Sequence, residues 1–204
     1  APRGIGKTFF ALEVAYAVAC GGNFLKYHAP KARGVIYIDG EMPARTLQER
    51  YAKIIESSDC EPIAPFKLVT PDFQPFSMID LSRKEDQIKL EPYLDDIELI
   101  IIDNISCLCR SGKENEGESW LPVQQWALSQ RTKGRSVLFI HHAGKNGEQR
   151  GSSRREDVLD TVISLKRPKD YTPENGANFE IHFEKARGIM GEDTQAIEAQ
   201  LETD

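Results

Sequence analysis

The first eight residues, Ala1-Pro2-Arg3-Gly4-Ile5-Gly6-Lys7-Thr8, match the phosphate-loop pattern GxxxxGK[ST] at every defined position but the first, where alanine replaces glycine. No other feature of the chain constrains the fold so much. Such a loop works only between a buried β-strand and a helix, because its backbone N–H groups must turn inward around phosphate oxygens while the helix aims its positive end at them. The helix is legible at 9–20, rich in Ala, Leu and Val and stopped by Gly21-Gly22. The strand that should come before the loop is not in the numbered chain, which therefore reads as starting inside a domain. We place a nucleotide against Arg3, Gly4, Ile5, Gly6, Lys7, Thr8 and Phe9. Lys7 would neutralise the β- and γ-phosphates, and the Thr8 hydroxyl would bind Mg2+.

The periodicity downstream alternates strand and helix. Strands are expected at 34–39, 66–69, 97–103 and 136–141, and helices at 43–57 and 119–130. The run 97–103 is apolar enough to be buried on both faces. In the last third, 161–165, 179–185 and 196–201 alternate apolar and polar residues, as half-exposed antiparallel strands do. The predicted fold is α/β: a mostly parallel sheet flanked by helices, extended at one edge by antiparallel C-terminal strands, all in one domain over 1–204.

In a parallel sheet, ligands gather at the carboxyl ends of the strands. Asp103 ends one such strand and is expected to hold Mg2+ through water, together with Thr8. Glu41 follows the strand that ends at Asp39 and is placed to orient or deprotonate an attacking water. Asp39 is the rival, and an N-cap of the following helix is the structural alternative. His141 and His142 end a further strand, and one of them is expected to face the γ-phosphate.

Composition narrows the setting. No apolar run approaches the ~18 residues of a membrane span, and no signal peptide is evident. Four cysteines without CxxC spacing argue against zinc and for a reduced, cytoplasmic protein. The net charge of −6 does not advertise nucleic-acid binding. The stretch 131–155, however, carries seven Lys/Arg against one acid, a local field that can matter where the global balance does not.

The phosphate loop, Gly40-Glu41, Ile101-Ile102-Asp103-Asn104, His141-His142-Ala143-Gly144-Lys145, Arg150-Gly151-Ser152-Ser153 and Lys185-Ala186-Arg187 occur in this order. Together they resemble the RecA-like ATPases of the plasmid RepA type, relatives of the DnaB replicative helicases, over essentially the whole chain. The resemblance implies a ring, usually hexameric, with MgATP hydrolysed at subunit interfaces and single-stranded DNA in the channel. It matches Glu41 to the catalytic glutamate and His142 to the γ-phosphate sensor. Lys185 and Arg187 match a pair sent into the neighbouring site, with Arg150 a second candidate for the trans arginine. Two segments match DNA loops. The second, 144–155, is basic through Lys145, Arg150, Arg154 and Arg155. The first, 106–118, sets Glu114, Glu116 and Glu118 against Arg110 and Lys113 and has no aromatic residue for stacking. Three functions share this core: a helicase or translocase, a recombination or repair ATPase that binds DNA without unwinding it, and a nucleotide-switched assembly protein with no DNA role.

Overall fold

A computed structural model describes residues 4–74, 78–110, 117–142 and 158–201. Two compact units divide the chain: residues 8–141, and residues 1–7 with 142–204.

The larger unit is built on a parallel sheet. Helix α1 (Lys7–Cys20) leads through a two-residue hairpin, β1 (Asn23–Phe24) and β2 (Tyr27–His28), into β3 (Val35–Asp39) and α2 (Ala44–Glu56). There follow β4 (Phe66–Val69), α3 (Lys84–Leu90), β5 (Leu99–Asp103), the single-turn α4 (Ile105–Leu108), α5 (Gly117–Thr132) and β6 (Ser136–Ile140). The sheet order is β4-β3-β5-β6, all parallel. The register sets Val35 beside Leu99 and Asp39 beside Asp103, so the two central strands end level, each on an acid.

Those central strands explain the two cores. Successive strand residues point to opposite faces. Ile36, Ile38, Ile100 and Ile102 therefore pack on one face with Leu90, Leu108, Val123 and Trp126. Val35, Tyr37 and Ile101 pack on the other with Leu12, Ala15, Tyr16 and Leu47. Ile36, Ile100, Ile101 and Ile102 are all fully buried. Each such side chain contributes roughly 1.5–3 kcal/mol relative to exposure.

The smaller unit holds an antiparallel sheet, β7 (Thr161–Lys166), β8 (Asn178–Ala186) and β9 (Ile197–Gln200), in sequence order. The expected antiparallel strands are all present, and among the described residues they bond to one another as a three-stranded C-terminal sheet rather than as further strands of the parallel one.

The candidate nucleotide site

In the smaller unit, the phosphate loop is shaped by backbone conformations that a side chain would disturb. Gly6 has φ of 113°, and a Cβ there would meet Phe179 Cε1 of β8 at 2.8 Å. Glycine is required twice over at this position, by conformation and by space. Arg167 fastens the start of the loop: one nitrogen donates to the Gly4 carbonyl at 3.0 Å, and the other donates to the carbonyls of Gly176 and Asn178. Its guanidinium carbon lies 3.7 Å from the Tyr171 ring centroid, a cation–π contact that holds the side chain flat. Composition and spacing did not single out Arg167, because an arginine in a loop ordinarily reads as a solvated surface charge. The Ile5 side chain is fully buried, so only its backbone is left to face a phosphate. Lys7 opens α1, and Thr8 and Phe9 lie in its first turn. Arg3 lies outside the described residues.

In the larger unit, the two strand-end acids sit at the centre of a hydrogen-bonded cluster. The Thr8 hydroxyl donates to Asp103 Oδ2 at 2.9 Å, and the Tyr37 hydroxyl donates to the same oxygen at 2.7 Å. Tyr37 is fully buried, and burial followed by the charge of Asp103 holds its phenol well above the usual range. Sequence reading takes Tyr37 as core, which its ring is. Its hydroxyl has a second job that no pattern reveals.

Asp39 is buried, and desolvation lifts its carboxyl to about 6 against the pull of two backbone N–H donors, Met42 and Glu41. Those donors reach Oδ1 at 2.5 and 2.7 Å. Asp39 thus closes the turn that carries Glu41. The structural alternative for Glu41, an N-cap of α2, is not realised: the residue at the cap is Pro43, and the Ala44 N–H donates to Asp72. Glu41 instead accepts from Asn104 Nδ2 at 2.7 Å. Asn104 also caps α4, its side-chain oxygen accepting from Cys107 N at 3.3 Å. The peptide joining Asp103 to Asn104 is cis.

Thr8 and Asp103 offer a hydroxyl and a carboxylate, hard oxygens adjacent at a strand end, which fit Mg2+. Among the described residues no cluster of three or more His, Cys, Asp or Glu side chains could hold a metal alone.

His141 and His142 follow the last residue of β6 rather than ending the strand. Lys185 stands on β8 opposite Val162, and Arg187 lies just beyond it. The backbone N–H of Arg187 donates to Asp160 O at 2.9 Å, and its guanidinium lies 3.7 Å from the Asp160 carboxylate, both side chains largely exposed. Lys145, Arg150, Arg154 and Arg155 lie outside the described residues.

The first expected DNA loop, 106–118, is not a plain loop: α4 occupies its start, and α5 begins at Gly117. Arg110, one of the two basic residues of that segment, donates to the Met78 carbonyl at 2.8 Å, and its backbone N–H donates to Asp80. Trp120 is buried against Phe139. The basic run 131–155 is also divided. Lys133 and Arg135 both pair with Glu91, and Arg135 donates to Leu94 O at 2.7 Å. They precede β6, and the basic residues from Lys145 onward lie outside the described residues.

These observations define a class. A phosphate loop opening a helix, and acids closing two central parallel strands, make this a P-loop ATPase of the RecA-like fold. The chain belongs to the AAA-domain family, whose model matches residues 1–148. A KaiC-like protein from the hyperthermophilic archaeon Pyrococcus horikoshii OT3 shares the fold, with a TM-score of 0.65 at 13% identity over 96% of this chain and 81% of that one. No curated protein sequence matches the chain. Among the described residues no helix is long and apolar enough to cross a membrane.

Proposed function

We propose that this chain is the motor core of a ring-forming DNA helicase or translocase of the plasmid RepA type, hydrolysing MgATP at subunit interfaces. The observation that carries the hydrolytic part is the cluster at the ends of β3 and β5, where Thr8 bonds to Asp103 and Glu41 bonds to the next residue, Asn104. In this reading Lys7 and the loop N–H groups hold the phosphates. Thr8 and Asp103 would hold Mg2+. Bound there, the ion would neutralise charge on the β- and γ-phosphate oxygens. Glu41 takes a proton from water as that water attacks the γ-phosphorus, and ADP leaves. His142 senses the γ-phosphate. Arg187 with Lys185, or Arg150, reaches the neighbour's phosphates and stabilises the transferring group.

The DNA part rests on the HHAGK and RGSS segments and on Lys145, Arg150, Arg154 and Arg155, whose charges suit phosphate contacts without sequence reading. The proposed setting is the cytoplasm. A second reading, a nucleotide-switched assembly protein, is favoured by the net charge of −6 and by the use of Arg110, Lys133 and Arg135 within the fold. Steady-state ATPase of the full-length protein, with and without single-stranded DNA at two salt concentrations, separates the two. Stimulation that fades with salt supports the motor, and strand displacement then distinguishes unwinding from binding alone. Hydrolysis indifferent to DNA supports the switch.

A further inference from the structure

Three contacts bind the turn carrying Glu41 to the segment that starts at Asp103. The Gly40 N–H donates to the Asp103 carbonyl at 2.7 Å. A Cβ on Gly40 would meet Cys107 Cβ at 2.8 Å and Leu108 Cγ at 2.9 Å, so α4 lies directly on the turn and only glycine leaves it room. The third contact is chemical: Asn104 Nδ2 donates to Glu41 Oε2 at 2.7 Å.

The Asn104 amide works at both ends, and its orientation is determined by its partners. Its oxygen faces an N–H donor, Cys107 N, and its nitrogen faces a carboxylate. The flipped amide would set oxygen against carboxylate and nitrogen against N–H, losing both bonds. Asn104 is 2% exposed, so water does not substitute for either partner.

The helix that Asn104 caps is fastened at its far end as well. The Leu81 N–H donates to Leu108 O at 2.7 Å, and the Arg110 N–H donates to Asp80 Oδ1 at 3.0 Å. The Ile105 and Leu108 side chains are buried in the core face of the sheet. A single turn of helix is marginal by itself, but this one is pinned at both ends and along one side. It forms a rigid bracket, and Asn104 is the point at which the bracket touches a carboxylate.

We infer that Asn104 is a positioning residue for Glu41, a bracket-mounted amide that holds the carboxylate in one orientation toward the attacking water. The inference rests on the reading of Glu41 as the general base. A glutamate has three side-chain torsions, and a base must hold its proton acceptor within hydrogen-bond reach of the water. The bond from Asn104 Nδ2 to Oε2 restrains the last of those torsions, the rotation of the carboxylate plane. Asn104 does not touch substrate in this scheme and acts only through Glu41.

The test is a double-mutant cycle in the full-length protein, with ATP as substrate. Serine is a good N-cap but too short to reach Glu41, so Asn104→Ser keeps the helix and removes the clamp. The expected result is a kcat lower by on the order of tenfold, part of the 10²–10⁴ that a positioned base contributes. KM for ATP and the affinity for ADP should stay within about twofold, since uniform binding is untouched. In the Glu41→Gln background the same substitution should have no further effect on kcat. Two outcomes overturn the inference alone: a normal kcat for Asn104→Ser beside a slow Glu41→Gln, or an equal loss in both backgrounds. A Glu41→Gln protein as fast as the unsubstituted one overturns the assignment of Glu41 itself, and this inference with it.

Discussion

Thr8 and Asp103, 95 positions apart in the chain, share a 2.9 Å hydrogen bond in which the threonine hydroxyl donates to Oδ2. Tyr37 donates to that same oxygen. Two hydroxyls on one carboxylate oxygen fix the rotation of the Asp103 side chain and direct its remaining lone pairs. Thr8→Val keeps the shape of the side chain and removes the hydroxyl. It should reduce ATP hydrolysis by at least about 10²-fold and remove the magnesium dependence of nucleotide affinity. Titrating ATP binding at several magnesium concentrations checks this. An unchanged dependence on magnesium would rule out Thr8 as a ligand.

Tyr37→Phe separates stability from metal binding. Phenylalanine fills the same buried volume and loses only the donor to Asp103. A hydrogen bond to a charged group contributes about 1.5–3 kcal/mol. The variant should lose stability in that range by urea denaturation while keeping its native circular dichroism spectrum. A loss under about 0.5 kcal/mol would mean that the phenol does not support Asp103 in solution.

At Gly6 the prediction concerns the phosphate loop. Alanine there must adopt a φ of 113° and displace the Phe179 ring. Such backbone conformations cost about 1–3 kcal/mol in non-glycine residues. The loop should relax to a different conformation, with its N–H groups no longer convergent. We expect the affinity for ATP to fall by more than about tenfold, measured by calorimetric titration. Affinity within twofold of the parent would contradict a cradle built from this conformation.

How far the sequence reveals these features depends on whether a residue has one role or two. The apolar runs at Val35–Asp39 and Leu99–Asp103 read as buried strands because they are short, rich in β-branched residues and each closed by an acid. Asp103 reads as a ligand because it ends such a strand, and Asp39 only as the rival of Glu41. Tyr37 and Asn104 were illegible in those roles: one looks like core, the other like a loop residue, and their second contacts are long-range. Helix α3 was missed because its inward face includes Asp86 and Gln87, polar residues that bond to Asp80 N and Leu81 O. The β1–β2 hairpin was missed because its turn places Leu25 at φ 52°, where the pattern would call for glycine or asparagine. Helix α4 is too short for any periodicity, and its one written signal is the Asn104 cap.

Arg187 tests the proposed assembly. Its ion pair with Asp160 is exposed and long, so it contributes about 0–1 kcal/mol to folding. Arg187→Ala should therefore melt close to the parent. If the guanidinium completes a neighbour's site, hydrolysis should fall by about 10³-fold or more while ATP affinity is retained. Mixing the variant with a Lys7→Ala protein would restore partial activity, since mixed interfaces then combine an intact loop with an intact arginine. Full activity of Arg187→Ala alone would move the trans role to Arg150.

Asp39 makes the stability of the nucleotide-free protein depend on pH in a direction opposite to the usual carboxylate. Its folded-state carboxyl titrates at about 6, raised mainly by burial, against 3.8 in the unfolded chain. Between those values the folded state holds the extra proton. The contribution of this group is therefore most stabilising below about pH 4 and is lost as pH rises through about 6. A shift of this size corresponds to about 2–3 kcal/mol. Asp39→Asn keeps an oxygen for the Glu41 and Met42 N–H groups and removes the ionisation. Urea denaturation of both proteins from pH 4 to pH 8 should give curves that diverge. Relative to the asparagine variant, the parent should lose about 2–3 kcal/mol as pH rises, with most of the loss complete by about pH 7. Parallel curves would show that Asp39 is ionised in the folded protein at no cost, and that the two backbone donors fully offset its burial.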